Sequence, residues 1–174
     1  TEGKYRPENY GNKYYGHVSM AQALAMSMNT ATLRIAQSIG LNAVLSTAKD
    51  LGIISKLESD YSVTLGSSGI SMMEMATAYA IISNGGTRVF PYAITKISNS
   101  EGLVLYERET PSGFYQVIEP QYARAITNMM RGVIDFGTGK KAQLPFPASG
   151  KTGTSQDSRD AWFTGFTDRI VATV

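Results

Sequence analysis

Cysteine is absent from this chain, which excludes disulfides, thiolate metal sites and a cysteine nucleophile. Histidine occurs once, at His17, too few for a multi-histidine metal site. Any serine–histidine pair would have to use it, yet Gly16 and the tyrosines nearby make it read as an ordinary loop residue. Charge is sparse, 17% of residues, and nearly balanced at a net +2. No run of Lys or Arg exceeds two residues, so no strong pull toward nucleic acid or a membrane surface is expected. Neither a leader-like stretch nor an apolar span of membrane length is present, and there is no internal repeat or low-complexity tract. What remains is a chain of 174 residues, 43% hydrophobic, enough for one globular domain with a sizeable core. It begins at Thr1 and ends at Val174 inside a strand-like pattern, so it reads as a piece of a longer protein.

Residues 1–18 carry Tyr, Gly and Asn without a period and read as loop. Ser19-Met-Ala-Gln22 has the spacing of a capping box and opens a short helix over about 20–26. Asn29 can cap a second helix with Leu33 and Ala36 on its apolar face and Gly40 at its end. Asn42 to Gly52 reads as a third. After a patternless stretch over 53–70, Ser71-Met-Met-Glu74 is another capping box, and that helix runs to the stop signal Asn84-Gly85-Gly86. Tyr92–Ser98 and Leu103–Glu107 read as strands joined by Asn99-Ser-Glu-Gly102. Pro120 suits a helix's first turn, and Tyr122, Ile126, Met129, Met130 and Val133 supply the apolar face up to Gly137. Ala148–Ser155, Ala161–Thr167 and Ile170–Val174 read as three strands, the last two joined by a tight turn at Asp168-Arg169. Helices followed by antiparallel strands indicate an α+β domain.

Lys151-Thr152-Gly153-Thr154 concentrates the most chemistry. The preceding Gly150 makes Gly150-Lys151-Thr152 match the end of a phosphate-binding loop, G-x-x-x-x-G-K-S/T. The leading position of that pattern is Pro145, which has no backbone N–H to offer a phosphate, and a turn and strand follow where a helix should begin. A second reading is a strand serving acyl transfer. Lys151 supplies positive charge, and Thr152 and Thr154 can donate to a carboxylate. A backbone N–H near Thr154 can face an oxyanion, a donor of a kind that contributes roughly 2.7–4 kcal/mol to a transition state. Gly153 lets a substrate backbone approach. Strand alternation puts Lys151 and Thr152 on opposite faces, so one pocket uses both only at a sheet edge or on a strongly twisted strand. The plain alternative is a turn with a solvated lysine.

Ser27-Met28-Asn29 is the partner motif. A loop between two helices can project the Ser27 hydroxyl as a proton relay and the Asn29 amide as a peptide holder. An ordinary helix end followed by an asparagine cap fits the same residues, and position alone leaves both readings open.

The order of motifs bears on that choice. Tyr10-Gly-Asn-Lys-Tyr-Tyr-Gly16 is followed by Gln22-Ala-Leu-Ala-Met-Ser27-Met-Asn29-Thr30. Leu65-Gly66, Met73-Glu-Met-Ala-Thr-Ala-Tyr-Ala80 and Asn84-Gly-Gly86 come next. Gly137-Thr-Gly139, Gly150-Lys-Thr-Gly-Thr154, Arg159-Asp-Ala-Trp-Phe163 and Gly165 complete the series. This succession resembles the transpeptidase domain of class A, bifunctional penicillin-binding proteins, over almost the whole chain; Lys-Thr-Gly is one of that group's signatures. The resemblance implies a β-lactamase-like α+β fold, an antiparallel sheet with helices on both faces. Residues 1–174 would be a partial transpeptidase domain, from S-x-N to K-T-G and the strands after it. It further implies a D,D-transpeptidase that cross-links peptidoglycan stem peptides through their D-Ala-D-Ala ends and is acylated by β-lactam antibiotics. By the same resemblance Ser27 and Lys151 act in a proton relay and Asn29 holds the donor peptide. Thr152 and Thr154 bind its carboxylate beside Gly153, and the Thr154 N–H forms half of the oxyanion hole. No metal or cofactor is implied. A membrane anchor and a glycosyltransferase domain are expected upstream, with the protein on the outer face of the bacterial cytoplasmic membrane.

The family's nucleophile sits in an S-x-x-K motif upstream of S-x-N, and this chain starts too late to contain it. Ser46-Thr-Ala-Lys49 has the spacing but follows Ser27 and lies inside the third helix, between Leu45 and Leu51, so it reads as a chance match. Gly69, in Leu65-Gly-Ser-Ser-Gly69, departs from the family pattern, where a glutamate is expected. A β-lactamase or β-lactam sensor of the same fold is the main rival reading. A hydrolase, however, needs a base that positions water, and no acidic residue is marked for that work. A nucleotide-binding module and a non-catalytic scaffold rank lower.

Overall fold

The computed structural model describes residues 6–110, 113, 115–155 and 160–174. Three helices come first: α1 (Met20–Ala25), α2 (Asn29–Ile39) and α3 (Leu41–Asp50). A long irregular passage leads to α4 (Met72–Ser83), then to a hairpin of β1 (Lys96–Ser98) and β2 (Val104–Glu107). Helix α5 (Pro120–Asp135) precedes β3 (Ser149–Thr154), β4 (Ala161–Phe166) and β5 (Val171–Thr173), which form an antiparallel sheet in the order β3-β4-β5. The α+β class expected from the sequence is the one observed.

Local chemistry explains most boundaries. Ser19 Oγ accepts the Gln22 N–H at the start of α1. At α4 the capping box is complete: Ser71 Oγ accepts the Glu74 N–H, and the Glu74 carboxylate accepts the Ser71 N–H. Gly40, at φ 88°, ends α2 in a conformation that a Cβ would oppose. Pro120 occupies the first turn of α5, where its missing N–H costs nothing. Asn99 Oδ1 accepts the N–H groups of Glu101 and Leu103 and so closes the hairpin.

Three expectations need correction. Asn29 does not cap α2. Met28 holds the cap position with its side chain buried, and Asn29 is already helical. The Thr30 N–H is satisfied by Asn9 Oδ1 at 3.1 Å, an acceptor brought from the N-terminal loop. Tyr122 is exposed, and the fully buried Ala123 takes its place on the inner face of α5. Finally, the strand expected from Tyr92 begins only at Lys96.

The core lies where α4 and α5 cross one face of the sheet. Ile82 of α4, Met130 of α5 and Phe166 of β4 pack together, with Leu24, Ile126 and Val171 around them. Tyr79 meets Phe166 edge to face, ring centres 6.2 Å apart. Ile81 and Val133 are completely buried, each such side chain contributing on the order of 1.5–3 kcal/mol through burial. On the opposite face, Phe163 lies over Gly150 and Gly165, and a Cβ on Gly150 would come within 2.9 Å of its ring. Helix α5 packs on both β3 and α1. It thereby sets the end of α1, with Ser27 just beyond it, beside the sheet.

Candidate functional site

Ser27 stands in a turn of unusual strain. After α1 the chain makes a Schellman-type closure, with the Ser27 N–H on Leu24 O and the Met28 N–H on Ala23 O. The residue at the bend must be left-handed, a place ordinarily taken by glycine. Here it is Ser27, at φ 53°. A side chain there costs on the order of 1–2 kcal/mol, and the hydroxyl it carries points at Lys151.

Lys151 Nζ donates to Ser27 Oγ at 2.8 Å and to the backbone carbonyl of Thr152 at 2.8 Å. That second contact is possible because β3 is an edge strand. The Ser155 N–H bonds Asp160 O, and with the register Lys151↔Thr164 and Gly153↔Trp162 the alternation of an antiparallel ladder assigns the odd residues to β4. Thr152 and Thr154 therefore turn their N–H and C=O groups to the free edge, toward Ser27. The side chain of Lys151 curls over that edge, which is how one pocket comes to use neighbours on opposite faces. Burial of the ammonium group lowers the Lys151 pKa from 10.5 to about 8, so both charge states are accessible near neutral pH.

The two glycines of the strand have different reasons. Gly150 is required by the fold, since a Cβ would meet Thr164 O at 2.8 Å. Gly153 is not. Its φ is ordinary, and a Cβ would make only a van der Waals contact of 3.4 Å with Trp162. Among the described residues nothing forbids a side chain at 153, and the position is open to an approach from outside. Gly153 and Thr154 are exposed, and Thr152 is half-buried.

Asn29 is half-buried at the start of α2, two residues from Ser27, and its Nδ2 donates to Glu8 O at 2.8 Å. Two further residues belong to this neighbourhood and escaped sequence reasoning. Asn9 is buried and holds both the N–H and the hydroxyl of Thr30 through Oδ1, so it fixes the start of α2. Thr138 lies 2.7 Å from Thr152, hydroxyl to hydroxyl. Gly137-Thr-Gly139 belongs to the ordered motif series and Gly137 ends the α5 pattern, but nothing local to it indicates which strand Thr138 meets. Ser46 and Lys49 are exposed on α3, which packs on α2. His17 is exposed in a bend. An apolar hollow of about 430 Å³ lies elsewhere, lined by Leu144, Phe146, Phe163 and Ile170 among others; Ser27, Lys151 and Thr152 take no part in it. Among the described residues no cluster of metal-ligating side chains occurs.

The chain and its fold have counterparts among known proteins. The family model of the penicillin binding protein transpeptidase domain matches residues 1–169. The chain belongs to that family. It is 36% identical to penicillin-binding protein 1A of Rickettsia conorii over 96% of this chain and 24% of that protein. With penicillin-binding protein 1A of Aquifex aeolicus it shares 37% identity, covering 97% of this chain and 23% of the other. The chain thus spans about a quarter of the length of these relatives. Among solved structures, penicillin-binding protein 1A of Haemophilus influenzae superposes with a TM-score of 0.89 at 24% identity, over 99% of this chain and 32% of that one. The PonA1 protein of Mycobacterium tuberculosis, solved in complex with penicillin V, superposes with a TM-score of 0.81 at 25% identity, over 95% and 49%. The β-lactamase-like transpeptidase fold implied by the motif order is the fold of these neighbours. Arg159, in the stretch before Trp162, lies outside the described residues.

Proposed function

We propose that this chain forms the binding wall and proton relay of a peptidoglycan D,D-transpeptidase, the longer protein to which it belongs supplying the nucleophilic serine from an S-x-x-K segment. The observation that carries this reading is the 2.8 Å contact of Lys151 Nζ with Ser27 Oγ at the open edge of β3. The nucleophile gives its proton to the lysine of that segment and attacks the carbonyl between the two D-Ala residues of a stem peptide, forming a C–O ester as the C–N bond breaks; the same lysine returns the proton when the serine is released. The departing D-Ala amine needs a proton, which Ser27 passes to it and Lys151 restores. An amine of a neighbouring stem then attacks the ester, its proton returning along the same path, and the serine is released.

Placement supports a role for each remaining residue. The hydroxyls of Thr152 and Thr154 receive the donor's terminal carboxylate, near which the charge of Lys151 is also favourable. The Thr154 N–H, turned to the free edge, meets the developing oxyanion. Gly153 leaves room for the donor backbone, and Asn29 holds the donor's amide. A β-lactam presents the same carboxylate and a strained carbonyl, and acylates the same serine. Such a transpeptidase works on the outer face of the cytoplasmic membrane, with a glycosyltransferase domain and membrane anchor elsewhere in its sequence. Among the described residues no helix is long and apolar enough to cross a membrane.

Labelling with a fluorescent penicillin tests the reading. The longer protein should become covalently labelled. The 174-residue chain alone should not, because losing a catalytic serine typically costs on the order of a million-fold in rate. Labelling of the isolated chain would overturn this assignment and return Ser46 to consideration.

A further inference from the structure

Thr138 is held more firmly than a loop residue needs to be. Its N–H donates to Ala25 O at 3.1 Å, at the end of the helix that leads to Ser27. On one side, Gly137 runs so close to Ala25 that a Cβ would fall 2.2 Å from the same carbonyl oxygen. On the other, the Gly139 N–H bonds Val133 O, and a Cβ there would press on Val133 at 3.2 Å. The backbone is thus fixed at both flanks, and the exposed side chain of Thr138 reaches Thr152 Oγ1 at 2.7 Å.

Two hydroxyls hold two protons between them. One proton makes the bond between Thr138 and Thr152; the other remains for a third group. With Thr138 as donor, the proton of Thr152 is offered outward, and an anion arriving at the free edge of β3 selects that arrangement. Among the described residues neither hydroxyl makes another hydrogen bond.

We infer that Thr138 is a positioning residue for carboxylate recognition: it donates to Thr152 and so aims the Thr152 hydroxyl at the carboxylate of the acyl donor. This rests on the transpeptidase reading above. It adds a residue outside the S-x-N and K-T-G motifs, and it makes the passage from α5 to β3 part of specificity.

The test compares acylation of the longer protein by a penicillin and by that penicillin's carboxyl methyl ester. In the wild type, esterification should raise the concentration giving half-maximal acylation. Thr138→Val keeps the branched shape and removes the hydroxyl. It should raise that concentration for the free acid roughly tenfold while leaving the ester and the limiting rate nearly unchanged, and Thr138→Ser should restore wild-type behaviour. Equal weakening for acid and ester, or no change for the acid, would overturn the inference. Should Thr138→Val fold poorly by circular dichroism, Thr138→Ala is judged on the same acid-to-ester comparison. A wild-type protein that is not acylated at all would instead refute the transpeptidase reading itself, and a Lys151→Ala control, slow with both compounds, separates the two failures.

Discussion

Lys151 Nζ and Ser27 Oγ are 2.8 Å apart although 124 positions separate them in the chain. Helix α5 closes that distance by packing on α1, which ends just before Ser27, and on β3, which carries Lys151. The proposed relay therefore depends on the α1–α5–β3 stack. In the longer protein Lys151→Ala should lower the rate of acylation by a fluorescent penicillin by roughly 10²–10⁴-fold, read from the time course of labelling. Normal labelling of that variant would refute the role given to Lys151.

The lowered pKa of Lys151 has a consequence for stability. Burial disfavours its charged form, moving the pKa from 10.5 when unfolded to about 8 when folded. Between those values the unfolded chain binds more protons, so stability rises with pH. The burial penalty is complete below pH 8 and has vanished by pH 10.5. Urea midpoints of the wild type should therefore rise across this window relative to those of Lys151→Met. Parallel curves would show that the lysine is not desolvated.

Glu74 gives a slope of the same sign at the acid end of the scale. Its carboxylate accepts the N–H groups of Ser71, Ile54 and Ser55 and the hydroxyls of Ser71 and Ser55; the bonds from Ser71 foremost, then those from Ser55, lower its pKa from 4.5 to about 2. The stabilisation is present above pH 4.5 and is lost as pH falls toward 2. Acid unfolding followed by circular dichroism should show that slope in the wild type and not in Glu74→Gln. Amide exchange at Ile54 and Ser55 should also be faster in the variant, because the carboxylate that ties the 53–71 passage to α4 is gone.

Strain at Ser27 can be separated from its hydroxyl by comparing two variants that both lack it. Ser27→Gly relieves the left-handed conformation and Ser27→Ala retains it. The glycine variant should be the more stable by about 1 kcal/mol in thermal denaturation, and neither should relay protons. Equal melting temperatures would mean that the turn relaxes.

Much of this was legible in the sequence because it is local. The caps at Ser19 and Ser71, the stops at Gly40 and Asn84 and the three closing strands depend on neighbours a few residues away. The Lys151–Thr154 strand announced itself by composition, and Pro145 removed its phosphate reading before any fold was known. What escaped depends on contacts distant in sequence. Asn9 caps α2 from 21 positions away, so Asn29 was given a task that another asparagine performs. Tyr122 falls on the apolar face by its spacing with Ile126, Met129 and Val133, whereas close packing of α5 on α1 and β3 favours the small Ala123 at that point of the interface. Thr138 escaped because its significance lies in Thr152, which only the turn after α5 brings near.

The approach of Gly137 to Ala25 sets a limit on how this family member can drift. A single methyl group at position 137 would overlap a backbone oxygen, and relief would have to come from moving α1 away from α5. The serine, the lysine and the threonine pair all take their spacing from that seam. Gly153 has room among the described residues, but residue 137 is a rivet: the smallest possible enlargement there would open the candidate site without altering any of its own side chains.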